Sequence, residues 1–343
     1  MERRLSLQVL FVAVLILFGM GKISHAQTAK PIELKLSHFM SPMHTFHVYG
    51  FVPFSKEVEE RTKGRVKITV YPSEALGKAK DHYDMAKQGV TDIAHIVQGY
   101  TPGRYPLTSV MELPIDTPSG EVGSRVLWGL YEKYLKAEYP GVKVLSLYTT
   151  DPGQIFTTKK PVKTVEDIKG LRVRSPGPQQ TAMLKEMGAS PLSLPLPEVY
   201  DALQRGIADG VMTPTSAIKD AKFHEVTKYQ TICNLFTIPC ALVMDLKVWN
   251  SLPPDVQKIF DELTGSRMSE IIGKAVDQTA VLSLEAAKTA GVQTYKLSSE
   301  EMKQWASRVK PVNDKWIEEM ESKGLPGKKV YEEATQLIKK YSK

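Results

Sequence analysis

The stretch TVEDIKGLRVRSPGPQQTAMLKEMGASPLSLPLPEVYDALQRGIADGVMTP, residues 164–214, decides the fold. It opens with a short helical segment stopped at Gly170 and an apolar strand, LRVRSP, at 171–176. A helix then runs from Pro178 to Gly188, followed by a strand at 189–195, a helix at 197–206 and a strand at 207–214. Glycine suits each helix stop because the residue after the C-cap adopts a left-handed conformation that costs other side chains more. Strands separated by helical crossovers predict a mostly parallel sheet, hence an α/β fold.

Upstream the same grammar runs once already. Strands are expected at IELKLSHF (32–39), RVKITVYP (65–72), TDIAHIVQ (91–98) and VKVLSLYTT (142–150), with helices at 51–64, 81–89 and 121–141 between them. The repeat is visible in residues: MAKQGVTDI (85–93) and ALQRGIADG (202–210) both end a helix at glycine and place an aspartate three residues later at a strand start. With the shared strand-then-Ser-Pro feature of LSHFMSP and LRVRSP, this predicts two similar α/β lobes. From Lys222 a further strand pair precedes long helical stretches at 253–291 and 299–324, long enough to run across both lobes.

The first residues, MERRLSLQVLFVAVLILFGMGKISHAQ, have the three parts of a secretory leader: Arg3 and Arg4, an apolar run from Val9 to Met20, and a small-residue end at Ser24-His25-Ala26. The run is about a dozen residues, short of the roughly 20 of a spanning helix, so cleavage near Ala26 and export to the periplasm are expected. The formal net charge of +7 falls to +5 when the leader's three basic residues and one acidic residue are removed. The basic residues are interleaved with acids, as in KEVEERTKGRVK, so no nucleic-acid partner is expected. Cys233 and Cys240 are the only cysteines; two make no disulfide framework and their spacing fits no zinc pattern.

In open α/β sheets ligands bind beyond the carboxyl ends of strands, where loops and helix N-termini converge. Arg174 sits at such an end, just before Pro176 stops the strand, and its guanidinium fork matches a carboxylate with two parallel hydrogen bonds. A surface ion pair is the competing reading for Arg174, and the preferred one for Arg172. His38, at the end of the first strand, and Gln98 and Tyr100, at the end of another, are further cleft candidates. Arg104 and Tyr105 read as surface residues. His44 and His47 share a helix face, but nothing nearby completes a metal ligand set. There is no G-x-S-x-G, H-E-x-x-H or G-x-G-x-x-G motif, and neither a cofactor nor an enzyme is expected.

Residues 170–210 resemble the solute-binding proteins of tripartite ATP-independent periplasmic (TRAP) transporters, of the dicarboxylate-binding DctP type. That pattern runs approximately G-L-K-[IL]-R-x-P, a helix, G-A-x-P, then E-V-Y-x-A-L-Q-x-G-x-x-D-G. Here Gly170-Leu171, Arg174, Pro176, Gly188-Ala189, Glu198-Val199-Tyr200, Ala202-Leu203-Gln204, Gly206 and Asp209-Gly210 fit it. VYPSEALGKAKDHYDMAKQGVTDIA and LVMDLKVWNSLPPDVQKIF extend the likeness over most of the mature chain. The resemblance implies two lobes, 27–151 with 240–279 and 152–239 with 280–343, joined by crossing strands and a long helix. It implies closure over a small organic acid gripped by Arg174, and delivery to a two-component permease driven by an ion gradient.

Departures from the family pattern bear on the ligand. A second arginine that many acid-binding relatives carry on the crossing strand is matched here by Gln154, and D-G-Q-E-N-P becomes Asp209-Gly210-Val211-Met212-Thr213-Pro214. One charge is lost and apolar bulk gained, which favours a monocarboxylate with a less polar body over sialic acid or a C4-dicarboxylate. By the same likeness Thr213, Asn234, Phe236 and Leu196 face the cleft, while Tyr200 and Trp249 read as packing residues. A receptor for an ABC importer, a sensory subunit presenting its ligand to a membrane kinase, and an exported cleft enzyme remain as alternatives.

Overall fold

The computed structural model describes residues 30–343, so the leader lies outside the described residues. The strands are β1 (Ile32–Ser37), β2 (Val66–Tyr71), β3 (Ile93–Val97), β4 (Val142–Thr149), β5 (Gly153–Thr157), β6 (Arg172–Ser175), β7 (Ser190–Ser193), β8 (Gly210–Pro214), β9 (Tyr229–Ile232), β10 (Pro239–Asp245) and β11 (Gln293–Lys296). They form two sheets with helices packed on them, in the orders β2-β1-β3-β10-β4 and β11-β9-β5-β8-β6-β7. The strand β1 alternates, with Leu34 and Leu36 buried and Glu33 and Lys35 exposed. By contrast β3, β5, β8 and β10 are buried at every residue, as expected of strands covered on both faces.

The two halves repeat one local device. Gly89 and Gly206 end their helices with φ of 72° and 68°. Three residues on, Asp92 donates its backbone N–H to Lys35 O (3.1 Å) and accepts from Lys35 N at Oδ2 (2.7 Å). Asp209 does the same to Arg172, at 2.7 and 3.0 Å. Asp92 thereby clamps β1 to β3, and Asp209 clamps β6 to β8.

Within the mostly parallel arrangement that the crossover grammar predicts, each sheet also holds one strand that runs antiparallel to both its neighbours. β10 runs antiparallel to β3 and β4, and β5 antiparallel to β8 and β9. These are the strands that arrive from the other lobe: β4 leads directly into β5, and β9 into β10. No crossover helix returns them to the same edge, so nothing imposes a parallel direction. The two crossings lie side by side, with Thr150 N bonded to Ile238 O (3.1 Å), Gly153 N to Phe236 O (2.7 Å) and Leu235 N to Gly153 O (3.2 Å).

The helix Gly265–Thr289 spans both lobes: it packs on the helix Gly120–Leu130 and β4 of the first, and on Ala217–Asp220 of the second. Ser283 Oγ donates to Ser216 O (3.1 Å) at its far end. The last helix, Gly327–Tyr341, departs from its expected place in the second lobe. It lies on the Gly120–Leu130 helix, with the Arg125 guanidinium 4.3 Å above the Tyr341 ring and Lys133 paired with Glu333. Its apolar face, Val330, Ala334 and Ile338, has been carried back across the cleft by the preceding helix and is buried there. The short edge strand β11, which no residue pattern marked, sits beside β9. Tyr105 is buried against Tyr83 and Tyr139, where a surface position was expected. Among the described residues no helix is long and apolar enough to cross a membrane.

Candidate functional site

Between the lobes, at the strand ends, lies a narrow recess of about 50 Å³. The first lobe contributes Phe39 and Met40 after β1, His44 and Phe46 from the next turn, His95 and Val97 from β3, and Tyr100. The second contributes Arg174, Leu196, Thr213, Pro214, Ser216 and Ala217, and the crossings add Thr150, Ile238 and Cys240. Aromatic rings make up much of one wall: Phe39 lies 5.4 Å from His95 and 5.6 Å from Tyr100, and Phe46 lies 5.4 Å from His95, centre to centre.

Arg174 is 1% exposed, which is unusual for so large a cation. Its Nε donates to Leu194 O (2.8 Å) and its Nη1 to Met212 O (3.3 Å), so β8 and the loop after β7 fix the plane of the guanidinium. The remaining nitrogen, Nη2, is buried and has no partner. Burial pulls the Arg174 pKa down from its ordinary value, and the neighbouring Tyr100 hydroxyl pulls it back up. Tyr100 in turn accepts from Leu196 N (3.0 Å), tying the two lobes together across the recess. A buried cation without a counter-charge is costly, and an incoming carboxylate supplies both the charge and an acceptor for Nη2. Thr213 Oγ1, on the strand beside Arg174, is likewise buried and unpartnered.

Burial lowers the pKa of both histidines of the recess. His44 sits 3.6 Å from Asp220 Oδ2 of the other lobe; burial lowers its pKa more than Asp220 raises it. His95 is driven well below its ordinary value, first by burial and then by the other histidines. Among the described residues no group of three or more metal-ligating side chains forms a site.

Residues 36–319 match the family of bacterial extracellular solute-binding proteins, family 7, also called DctP. The chain belongs to this family. It is 28% identical over 294 residues to the C4-dicarboxylate-binding periplasmic protein DctP of Rhodobacter capsulatus, covering 84% of this chain and 88% of that one. A TRAP solute-binding protein from Rhodoferax ferrireducens, solved with copurified benzoate, superposes with a TM-score of 0.88 at 32% identity, covering 91% of this chain and 98% of that one. A marine metagenome TRAP solute-binding protein specific for aromatic acids, solved with 3-hydroxybenzoate, gives 0.89 at 30% identity, over 92% and 100%.

In this DctP-family protein the structure brings together Arg174, Thr213, Leu196 and Tyr100 at the recess. Other candidates stand elsewhere. Gln154 is spent on the crossing: its Nε2 donates to Pro152 O (3.1 Å) and Asn234 Oδ1 (2.7 Å), and its Oε1 accepts from Cys233 N (2.7 Å) and Asn234 N (3.0 Å). Asn234 is exposed on the outer side with φ of 46°, and Phe236 packs on Gly153; Ile238 and Cys240 of the same segment reach the recess instead. Gln98 turns to Tyr139 (3.0 Å). His38 turns away from the recess, its Nε2 2.8 Å from His47 Nδ1, and burial lowers its pKa to about 3. The chain leaves β1 at Ser37 and bends at 39–40, and Phe39 and Met40 take the place expected of His38.

Arg172 forms the expected surface pair with Asp209 (2.8 Å), Trp249 is buried against Phe260, and Tyr200 donates to Glu225 Oε2 (2.7 Å). Both cysteines are buried and free, and burial raises their thiol pKa values, that of Cys233 to about 12. Of the aromatic wall, Tyr100 is a sequence candidate, whereas Phe39, Phe46 and His95 are not. The available signal was a polar residue in an otherwise apolar β3, IAHIV.

Proposed function

We propose that this protein is an exported, non-enzymatic receptor that captures an aromatic monocarboxylate in the interlobe recess and delivers it to a two-component TRAP permease. The observation that carries the reading is a buried, partly unpartnered Arg174 facing an aromatic wall. One fixed cation calls for one carboxylate, and the Phe39, Phe46 and Tyr100 rings favour a flat apolar body. The family supports the TRAP partner and a periplasmic location over an ABC importer. The solved relatives holding benzoate and 3-hydroxybenzoate support the ligand class.

Residues 27–151 with 240–279, and 152–239 with most of 280–343, act as the two bodies, the last helix riding on the first. Ligand contacts from both bodies bias them toward closure. The test is the melting temperature of mature protein, refolded to strip carried-over ligand, against benzoate and other monocarboxylates, C4-dicarboxylates, sugar acids and neutral sugars. Saturable stabilisation by aromatic monocarboxylates alone is expected. Stabilisation by dicarboxylates or sugars, with none by aromatic acids, would overturn the reading.

A further inference from the structure

Besides Arg174 Nη2 and Thr213 Oγ1, one more buried, unpartnered polar atom belongs to the recess: Nε2 of His95. His95 is 0% exposed and sits at the middle of β3, across the cleft from Arg174. Its Nδ1 is 2.7 Å from the Tyr148 hydroxyl, and the two rings stack at 13°. The buried Tyr148 hydroxyl has no other bonding partner among the described residues, and the tautomer that leaves the fewest groups unpaired has it donate to Nδ1, which assigns the ring proton to Nε2. The other recess histidine, His44, has a different arrangement: its Nδ1 accepts from Phe46 N (3.2 Å) and faces Asp220, and it keeps some contact with solvent. His95 is therefore a fixed N–H donor set among the rings of Phe39, Phe46 and Phe51.

We infer that His95 Nε2 reads a second oxygen on the ligand, so that the preferred ligand is an oxygenated aromatic acid: a carboxylate on Arg174 and Thr213, and a ring hydroxyl on His95. This rests on the aromatic-acid reading above and narrows it. The recess has a donor in each lobe, and a ligand holding both bridges the lobes at two points. A methyl group of similar size in place of the hydroxyl leaves the N–H buried without an acceptor, which is the situation that penalises a near-isosteric ligand most.

The experiment is calorimetric titration of benzoate and of the 2-, 3- and 4-hydroxybenzoates, each paired with the methylbenzoate of the same ring position. The wild type is expected to prefer the hydroxyl over the methyl compound by about tenfold or more at one ring position. In His95→Phe that ratio should fall to within about threefold. Tyr148→Phe releases the ring's proton to either nitrogen and should lower the same ratio, so the inference stays testable if His95→Phe does not fold. Benzoate binding with no hydroxyl preference at any position, or a preference that survives both variants, overturns the assignment of His95 while leaving the aromatic-acid reading intact. If benzoate and all six substituted acids fail to bind the wild type, both fall.

Discussion

Replacing Arg174 with methionine tests the centre of the argument. The side chain keeps most of its length and its burial but loses all its donors. Two of those donors are committed to Leu194 O and Met212 O whether or not ligand is present, so their loss is a cost to folding. Nη2, buried and without a partner, is free to meet a carboxylate, with the full charge behind it. Truncating one partner of a desolvated charge pair costs about 2 to 5 kcal/mol, or roughly 30-fold to several thousand-fold in affinity. In a melting assay with benzoate at one hundred times the wild-type dissociation constant, the ligand adds about 2.7 kcal/mol to the wild type. After a 30-fold loss it adds about 0.9 kcal/mol, and after a thousandfold loss almost nothing. The unliganded melt is the control, since loss of two carbonyl partners and relief of a buried charge act in opposite directions there. Affinity within threefold of wild type, measured by titration on a cooperatively folded variant, would refute Arg174 as the anchor.

Two further predictions concern the frame. A Cβ at Gly153 would lie 2.2 Å from the Phe236 ring, so Gly153→Ala should destabilise by about 1 to 3 kcal/mol in denaturant titration. Combined with Phe236→Leu it should cost less than the sum of the two single changes; strict additivity would mean the crossing has room to spare. Glu112 is buried where the lobes meet, and burial raises its carboxyl pKa from the usual range to about 8. Between the unfolded value near 4.5 and about 8 the folded state therefore holds a proton that the unfolded chain has lost. Stability is fully present below that window and falls as pH rises through it, by on the order of 1.4 kcal/mol per unit. Glu112→Gln should flatten the decline in a pH series of urea melts, and an unchanged slope would show that another group is responsible.

Much of the fold was legible because its signals are local. Helix stops at Gly89 and Gly206 and the aspartates after them depend on a few neighbouring residues, and the structure uses them identically in both halves. The position of Arg174 was legible for a similar reason: strand alternation and Pro176 put it at a carboxyl end. Gln154 and Asn234 misled because polarity at a crossing looks the same whether it serves a ligand or the backbone. Only their partners, 80 residues apart in sequence, separate the two uses.

By itself the sequence determined the alternating elements, the repeated grammar of the two lobes and the family, and placed Arg174 at a strand's carboxyl end. All of these follow from periodicity and short-range backbone preference. Tertiary structure decided the direction of β5 and β10, the return of the last helix to the first lobe, and the wall facing Arg174. That wall joins Phe39, Phe46, His95 and Ile238, residues that no spacing links; their meeting is set by how two sheets close on a shared cleft.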